Sequence, residues 1–261
     1  MPNLSDSDYI SRELTLKRTL SIGHSGPDVK KVQEWVNLHG IELNIDGEFG
    51  EHTRRAIIKF QYAHGIQESG LVDADTIDCL TLPMRRAIAS IRLNNLSPNQ
   101  MIALYAEQHL HEMPREIGTQ NCGPWVRLYM KGNEGRQWSW CAGFVSFIIM
   151  QAYANTSTRS PLNYSFSCDE LARESLRKNI FICESQIVKN TIEPGMIFLR
   201  RKTSSDWVHA GIVMSFELGH VYTIEGNTNN AGRYNGGSVM RKRRSMNNID
   251  LINLELAEVK L

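Results

Sequence analysis

The stretch Trp138-Ser139-Trp140-Cys141-Ala142-Gly143-Phe144-Val145 leads into an almost wholly apolar run, Cys141 to Ala154. A helix that is hydrophobic all round is a buried one. The run therefore predicts a central helix with Cys141 at its first turn. There the positive end of the helix dipole favours thiolate over thiol. A cysteine kept only for packing more often sits inside such a helix. Position alone leaves both readings of Cys141 open, a nucleophile or a small buried hydrophobe.

The segments C-terminal to this helix set the fold class. A polar helix is predicted near Cys168 to Arg177. Beyond the turn signal Glu193-Pro194-Gly195 the pattern changes to strands at Met196–Arg201, Val208–Phe216, Val221–Glu225, Ser238–Arg244 and Asp250–Leu256. Helices first and antiparallel strands after give an α+β order. Two of these strands carry what a thiolate nucleophile needs. His209 lies in Trp207-Val208-His209-Ala210-Gly211, where small neighbours leave room for substrate or for an approaching helix. Glu225 ends the next strand, in Ile224-Glu225-Gly226-Asn227, and adjacent antiparallel strands can set it beside His209. A carboxylate there fixes the imidazole tautomer and stabilises the imidazolium. Asn227 shares the face of Glu225 by alternation and could share that role. Singly, each has a bland reading, a packed histidine or a solvated glutamate, and the seven other histidines keep it. The three groups in this order point to a site.

Upstream, residues 1–19 read as a polar tail. Residues 20–82 read as a small three-helix bundle. One helix opens at Gly26-Pro27-Asp28, buries Val29, Val32 and Val36, and closes at Gly40. A second runs from about Glu51 to Gly65 with Ala56, Ile57 and Phe60 inward. A third spans about Asp73 to Leu80. Residues 83–97 read as a linker, partly helical, ending in the capping box Ser97-Pro98-Asn99-Gln100. Residues 98–261 read as the second domain.

Composition narrows the function classes. The chain has 261 residues, with 29 Lys and Arg against 28 Asp and Glu, so no one-signed field points to nucleic acid or an acidic membrane. No run reaches the length of a membrane-spanning helix. The first twenty residues lack the apolar core of a cleaved export signal, which predicts synthesis without one. Five scattered cysteines with no C-x-x-C pair suggest neither a disulfide framework nor structural zinc. The Gly47-to-Gly50 loop has too few carboxylates for calcium. No metal or organic cofactor is expected. Arg241-Lys242-Arg243-Arg244 reads as a solvated charge run, and Asn227–Gly237 as a mobile loop.

Residues 120–230 resemble the CHAP family of cysteine, histidine-dependent amidohydrolases/peptidases. The resemblance is carried by Asn121-x-Gly123-Pro124, Trp140-Cys141-Ala142-x-Phe144-Val145, His209-Ala210-Gly211-Ile212 and Glu225-Gly226-Asn227. It implies a papain-like core, a Cys141-His209-Glu225 triad and amide hydrolysis in peptidoglycan. Many members place Gln before the cysteine; here it is Trp140. The expected oxyanion donor is thus the Cys141 backbone N–H, with Asn121 or Gln137 as side-chain candidates. Trp140 and Trp207 are candidates to line a substrate groove, with core packing as the plainer role.

Residues 22–80 resemble the three-helix peptidoglycan-binding domain family, through Gly26-x-x-Val29, Gln33, Gly40, Asp46-Gly47-x-Phe49-Gly50-x-x-Thr53, Ala56, Phe60-Gln61 and Gly70. Together the two resemblances imply a bacteriolytic peptidoglycan hydrolase, amidase or endopeptidase, with a targeting module. Without an export signal it would be made in the cytoplasm and reach the wall in one of two ways. A phage-type endolysin is released by lysis, whereas an antibacterial effector travels through a secretion machine and is paired with an immunity protein. The alternatives are a non-catalytic wall-binding protein, or a cysteine protease or deamidase acting on proteins. With an ordinary imidazole pKa, activity should rise above about pH 6 as His209 becomes neutral, whereas a preformed thiolate–imidazolium pair would shift that window lower.

Overall fold

A computed structural model describes residues 7–93, 95–154, 156, 158–229 and 236–257. The chain divides into two compact units, one of residues 7–88 and 115–136, the other of residues 89–114 and 137–257.

The first unit is helical: α1 (Asp8–Leu14), α2 (Pro27–Leu38), α3 (Glu51–Ala63), α4 (Ala74–Leu80), α5 (Leu82–Ile88) and α7 (Pro124–Tyr129). Pro27 starts α2 directly after Gly26, whose φ of 112° is open to glycine. Asp73 caps α4 by accepting from the Thr76 N–H at 2.9 Å. Val29, Val32, Trp35 and Val36 of α2 and Ile57 and Phe60 of α3 supply much of the core. Two buried glutamines tie down the loops. The Gln33 amide donates to Asp46 (2.7 Å) and accepts from the Gly47 N–H (2.8 Å). Gln61 donates to the Leu71 carbonyl and accepts from the Gly70 N–H, both at 2.9 Å.

Two features depart from the sequence reading. The tail contains α1, with Ile10 and Leu14 buried. Residues 115–136, expected with the second domain, cluster with the helical unit. Arg127 gives the physical reason. Its guanidinium is paired with Glu13 (2.6 Å), Glu34 (2.7 Å) and Glu134 (2.7 Å). A buried cation needs such partners, and the fold draws them from three separate stretches of chain.

The second unit is α+β. It contains α6 (Pro98–His111), α8 (Cys141–Tyr153) and α9 (Cys168–Arg177). Its strands are β1 (Phe181–Ile182), β2 (Ile197–Thr203), β3 (Asp206–Glu217), β4 (His220–Thr228), β5 (Ser238–Ser245) and β6 (Ile249–Ile252). They form one antiparallel sheet in the order β1-β6-β2-β3-β4-β5. The Ser97 capping box is formed as the sequence predicts. The last strand stops earlier than expected. The Asn253 side chain accepts from the Glu255 N–H at 3.1 Å, and Leu254–Ala257 is a 3-10 turn. Helix α8 is buried along almost its whole length. Close packing on β4 requires Gly226, where a Cβ would lie 2.7 Å from Phe144 Cβ and 2.9 Å from the Trp140 ring. None of the described helices is long and apolar enough to cross a membrane.

Candidate active site

Cys141 is the first residue of α8 and keeps 4% of its surface exposed, whereas His209 on β3 and Glu225 on β4 are fully buried. His209 Nε2 and Glu225 Oε2 are 2.8 Å apart. The imidazole is also coupled electrostatically to the Cys141 sulfur. With Nε2 facing the carboxylate, Nδ1 is the ring nitrogen available to serve the sulfur.

Gly211 makes the His–Glu contact possible. The β3–β4 ladder pairs Ile212 with Ile224, and one more step sets Gly211 across from Glu225. A Cβ on Gly211 would lie 2.8 Å from Glu225 Cγ and 2.4 Å from Phe198 Cε1. The space left by the small residues beside His209 is filled by protein, by the acid side chain crossing to the imidazole and by Phe198.

Glu225 has two further partners. Thr223 Oγ1 donates to Oε1 at 2.7 Å. Arg244 on β5 donates from Nε to Oε1 at 2.8 Å and from its terminal nitrogen to Oε2 at 2.5 Å. Burial works to raise the Glu225 pKa, but the bonds from Arg244 and His209 outweigh it and hold the carboxyl at about 2. For His209, burial opposes the charge. The contacts with Cys141 and Glu225 outweigh it and lift the imidazole to about 9. The Cys141 thiol falls well below its ordinary value, through a hydrogen bond from Cys168 and then, against the cost of burial, through His209. Both shifts favour a thiolate beside an imidazolium, the arrangement that would move the expected pH window lower.

In sequence Cys168 reads as a small buried hydrophobe. In the structure it opens α9 and places its sulfur 3.8 Å from that of Cys141. Arg244 reads as part of a solvated run, yet its side chain is 10% exposed and ends on Glu225. Strand register is the signal that could have found it. Val221 pairs with Arg244, Thr223 with Lys242 and Glu225 with Met240, so Arg244 shares a sheet face with Thr223 and Glu225.

The other expected residues have surroundings of their own. Asn227 is buried beyond a ladder irregularity, with a φ of 54°, and its carbonyl accepts from the Gly236 N–H at 3.1 Å. The carboxylate of Glu225 is what meets Nε2. Asn121 belongs to the helical unit, where its amide donates to the Arg136 carbonyl at 3.0 Å. Gln137 is exposed. Trp140 is fully buried against Gly226, and Trp207 donates its indole N–H to buried Asp250 at 2.8 Å. Both tryptophans are core residues, without the open ring face a groove wall needs. Of the loop expected at Asn227–Gly237, residues 230–235 lie outside the described residues. Among the described residues, no group of three or more His, Cys, Asp or Glu side chains is arranged to hold a metal ion.

The helical unit has a cleft of about 300 Å³ lined by Glu42, Asp46, Glu48, His52 and Thr53, among others. Residues 25–80, which include it, match the family described as "Putative peptidoglycan binding domain". A comparison with curated proteins finds no match. Among solved structures, one similar chain is a fused Zn-dependent amidase/peptidase/peptidoglycan-binding domain-containing protein from Clostridium acetobutylicum. It is 38% identical over 24% of this chain and 28% of that one, with a TM-score of 0.24. Another is the SleB N-terminal domain, 31% identical over 26% of this chain and 93% of that one, with a TM-score of 0.25. This chain thus spans little more than a quarter of the first protein's length. Over residues 25–80 the chain matches a family of peptidoglycan-binding domains, and the Cys141–His209–Glu225 cluster lies outside that stretch.

Proposed function

We propose that the α+β unit is a cysteine hydrolase that cleaves an amide bond of peptidoglycan, and that the helical unit targets it to the wall. The observation that carries this reading is the meeting of Cys141, His209 and Glu225, the last two 68 and 84 residues beyond the first in sequence, at the start of a buried helix. In the proposed reaction the Cys141 thiolate attacks the amide carbonyl carbon, forming a C–S bond and an oxyanion. The Cys141 backbone N–H, at the positive end of α8, is the first candidate to receive that oxyanion. The His209 imidazolium passes its proton to the amide nitrogen, the C–N bond breaks and the amine leaves. Neutral His209 then takes a proton from water, hydroxide adds to the thioester, and the C–S bond breaks to return the thiolate and a carboxylic acid product. Glu225 stays ionised and orients the ring throughout.

A binding module coupled to this chemistry raises the local concentration of enzyme on an insoluble polymer. The reading extends to a bacteriolytic role, as an endolysin or as a secreted effector with an immunity protein. Genes adjacent to this one would separate those two: a holin for the first, a small immunity gene for the second. The primary test is digestion of purified sacculi, with mass spectrometry of the released muropeptides. Wild type should release fragments with new amine and carboxyl ends, and Cys141→Ala should release none while keeping its circular dichroism spectrum. Equal release by both would refute the reading. Cleavage of casein with intact sacculi would favour a protease acting on proteins instead.

A further inference from the structure

Cys168 plays no part in the steps above, yet its sulfur is 3.8 Å from the Cys141 sulfur and both residues are buried. Its placement is fixed by its neighbours in the chain. Cys168 is the first residue of α9, and Ser167 caps that helix by accepting from the Glu170 N–H at 3.3 Å. The next residue, Asp169, accepts from the backbone N–H of Trp207 on β3 at 2.7 Å. Trp207 is two residues before His209. The start of α9 is thereby pinned to the strand that carries the imidazole, and Cys168 is held against the nucleophile.

The two thiols have unequal surroundings. His209 from β3 faces Cys141 and is itself backed by Glu225 from β4, which Arg244 from β5 holds ionised. Cys168 faces the sulfur of Cys141, and the carboxylate of Asp169 also opposes its ionisation. One negative charge in this pair belongs on the side of the imidazolium, and the second sulfur keeps its proton. A thiol beside a thiolate is a donor, weak in water but more effective where water is absent. We propose that Cys168 is a positioning residue whose S–H donates to the Cys141 thiolate, selecting the charged form of the nucleophile and fixing its direction. This deepens the reading of Cys141 as the nucleophile and rests on it. The opposite displacements of the two thiol pKa values, Cys141 down and Cys168 up, agree with that assignment.

The test is the pH dependence of Cys141 alkylation by iodoacetamide in the full chain, read by peptide mass spectrometry. It compares wild type with Cys168→Ala, Cys168→Val and Cys168→Ser. Val keeps bulk without a donor, and Ser restores one. Loss of the donor should move the thiolate midpoint up by about one unit, so that alkylation well below the midpoint slows about tenfold. Ser should recover much of the shift. A midpoint unchanged in whichever of the Ala and Val variants folds, or a rate lowered equally at every pH, would overturn the proposal, the second result being that of a merely structural residue. Alkylation needs no peptidoglycan. A wild-type chain with the low midpoint but no hydrolysis would remove the proposed function and leave this inference standing.

Discussion

Arg244 forks onto both carboxylate oxygens of Glu225, at 2.8 and 2.5 Å, from the neighbouring strand. The pair is nearly shut off from water, so the guanidinium is what keeps this carboxyl charged at the bottom of the site. Arg244→Gln should leave Glu225 with a raised pKa and a less strongly held imidazolium at His209. The expected result is a fall of about tenfold to a hundredfold in kcat, with KM changed little, and a loss of about 3–5 kcal/mol in stability. Steady-state kinetics on a soluble muropeptide and urea unfolding check the two parts separately.

A preformed ion pair changes the expected pH profile. The acid limb should mark protonation of the Cys141 thiolate, well below the ordinary thiol range, and the alkaline limb should fall near pH 9 as His209 loses the proton it gives to the amine. A rate that starts to rise only above about pH 8, where an ordinary thiol titrates, would contradict the pair.

The same values set a stability profile. His209 is raised to about 9 from 6.5, so its contribution is complete below 6.5 and fades as pH climbs through 9. Cys141 is lowered from 9, so its contribution grows with pH up to that value. Between these limits folding moves a proton from thiol to imidazole without net uptake, and the two trends offset. Glu225, held at about 2 against 4.5, contributes fully above 4.5 and loses that contribution as pH falls through 2. Thermal unfolding should therefore show wild type and a Cys141→Ala, His209→Ala double variant running parallel between about pH 7 and 8.5. A steep divergence inside that window would count against the paired charges.

Gly211→Ala should be far more damaging than its single methyl suggests. The added carbon would meet Phe198 at 2.4 Å and Glu225 at 2.8 Å, and overpacking of this kind costs about 1–3 kcal/mol. Displacement of Glu225 should also lower kcat. Combining it with Phe198→Leu should recover stability but not rate, which differential scanning calorimetry and kinetics would distinguish.

The 3.8 Å sulfur separation predicts oxidation chemistry as well. Hydrogen peroxide should convert the Cys141 thiolate to a sulfenic acid, and attack by the Cys168 thiol should then give a disulfide and water. A peptide map without reductant should contain the Cys141–Cys168 linkage, and dithiothreitol should restore activity. In Cys168→Ser the same treatment should proceed to irreversible sulfinic acid. Recovery of that variant with dithiothreitol would show that oxidation stops at a reversible stage without Cys168.

Much of the fold is legible in the sequence because its signals are local. Pro27 and Ser97 mark helix starts through the chemistry of a helix's first turn, and the apolar run after Cys141 marks a buried helix. The alternation of β3 and β4 sets His209 and Glu225 on neighbouring strands. The hidden features depend on pairing across distance. β1 has two residues and exists through its partner β6. Arg244 reads as solvated until the register sets it on the face of Glu225. Cys168 looks like any small buried residue until α9 is docked against β3. Trp140 and Trp207 show the reverse error. Aromatic residues next to motif positions suggest a ligand surface, and burial instead makes one a packing partner of Gly226 and the other a donor to Asp250.

The buried guanidinium of Arg127 has a practical consequence for anyone dissecting this polypeptide. Its three acidic partners lie at positions 13, 34 and 134. A single cut near residue 97 would strand it in a fragment lacking two of them. Neither half would be a natural folding piece: one would lack the 115–136 insertion, and the other would carry an orphaned cation. Separating binding from catalysis here calls for point substitutions in the intact polypeptide.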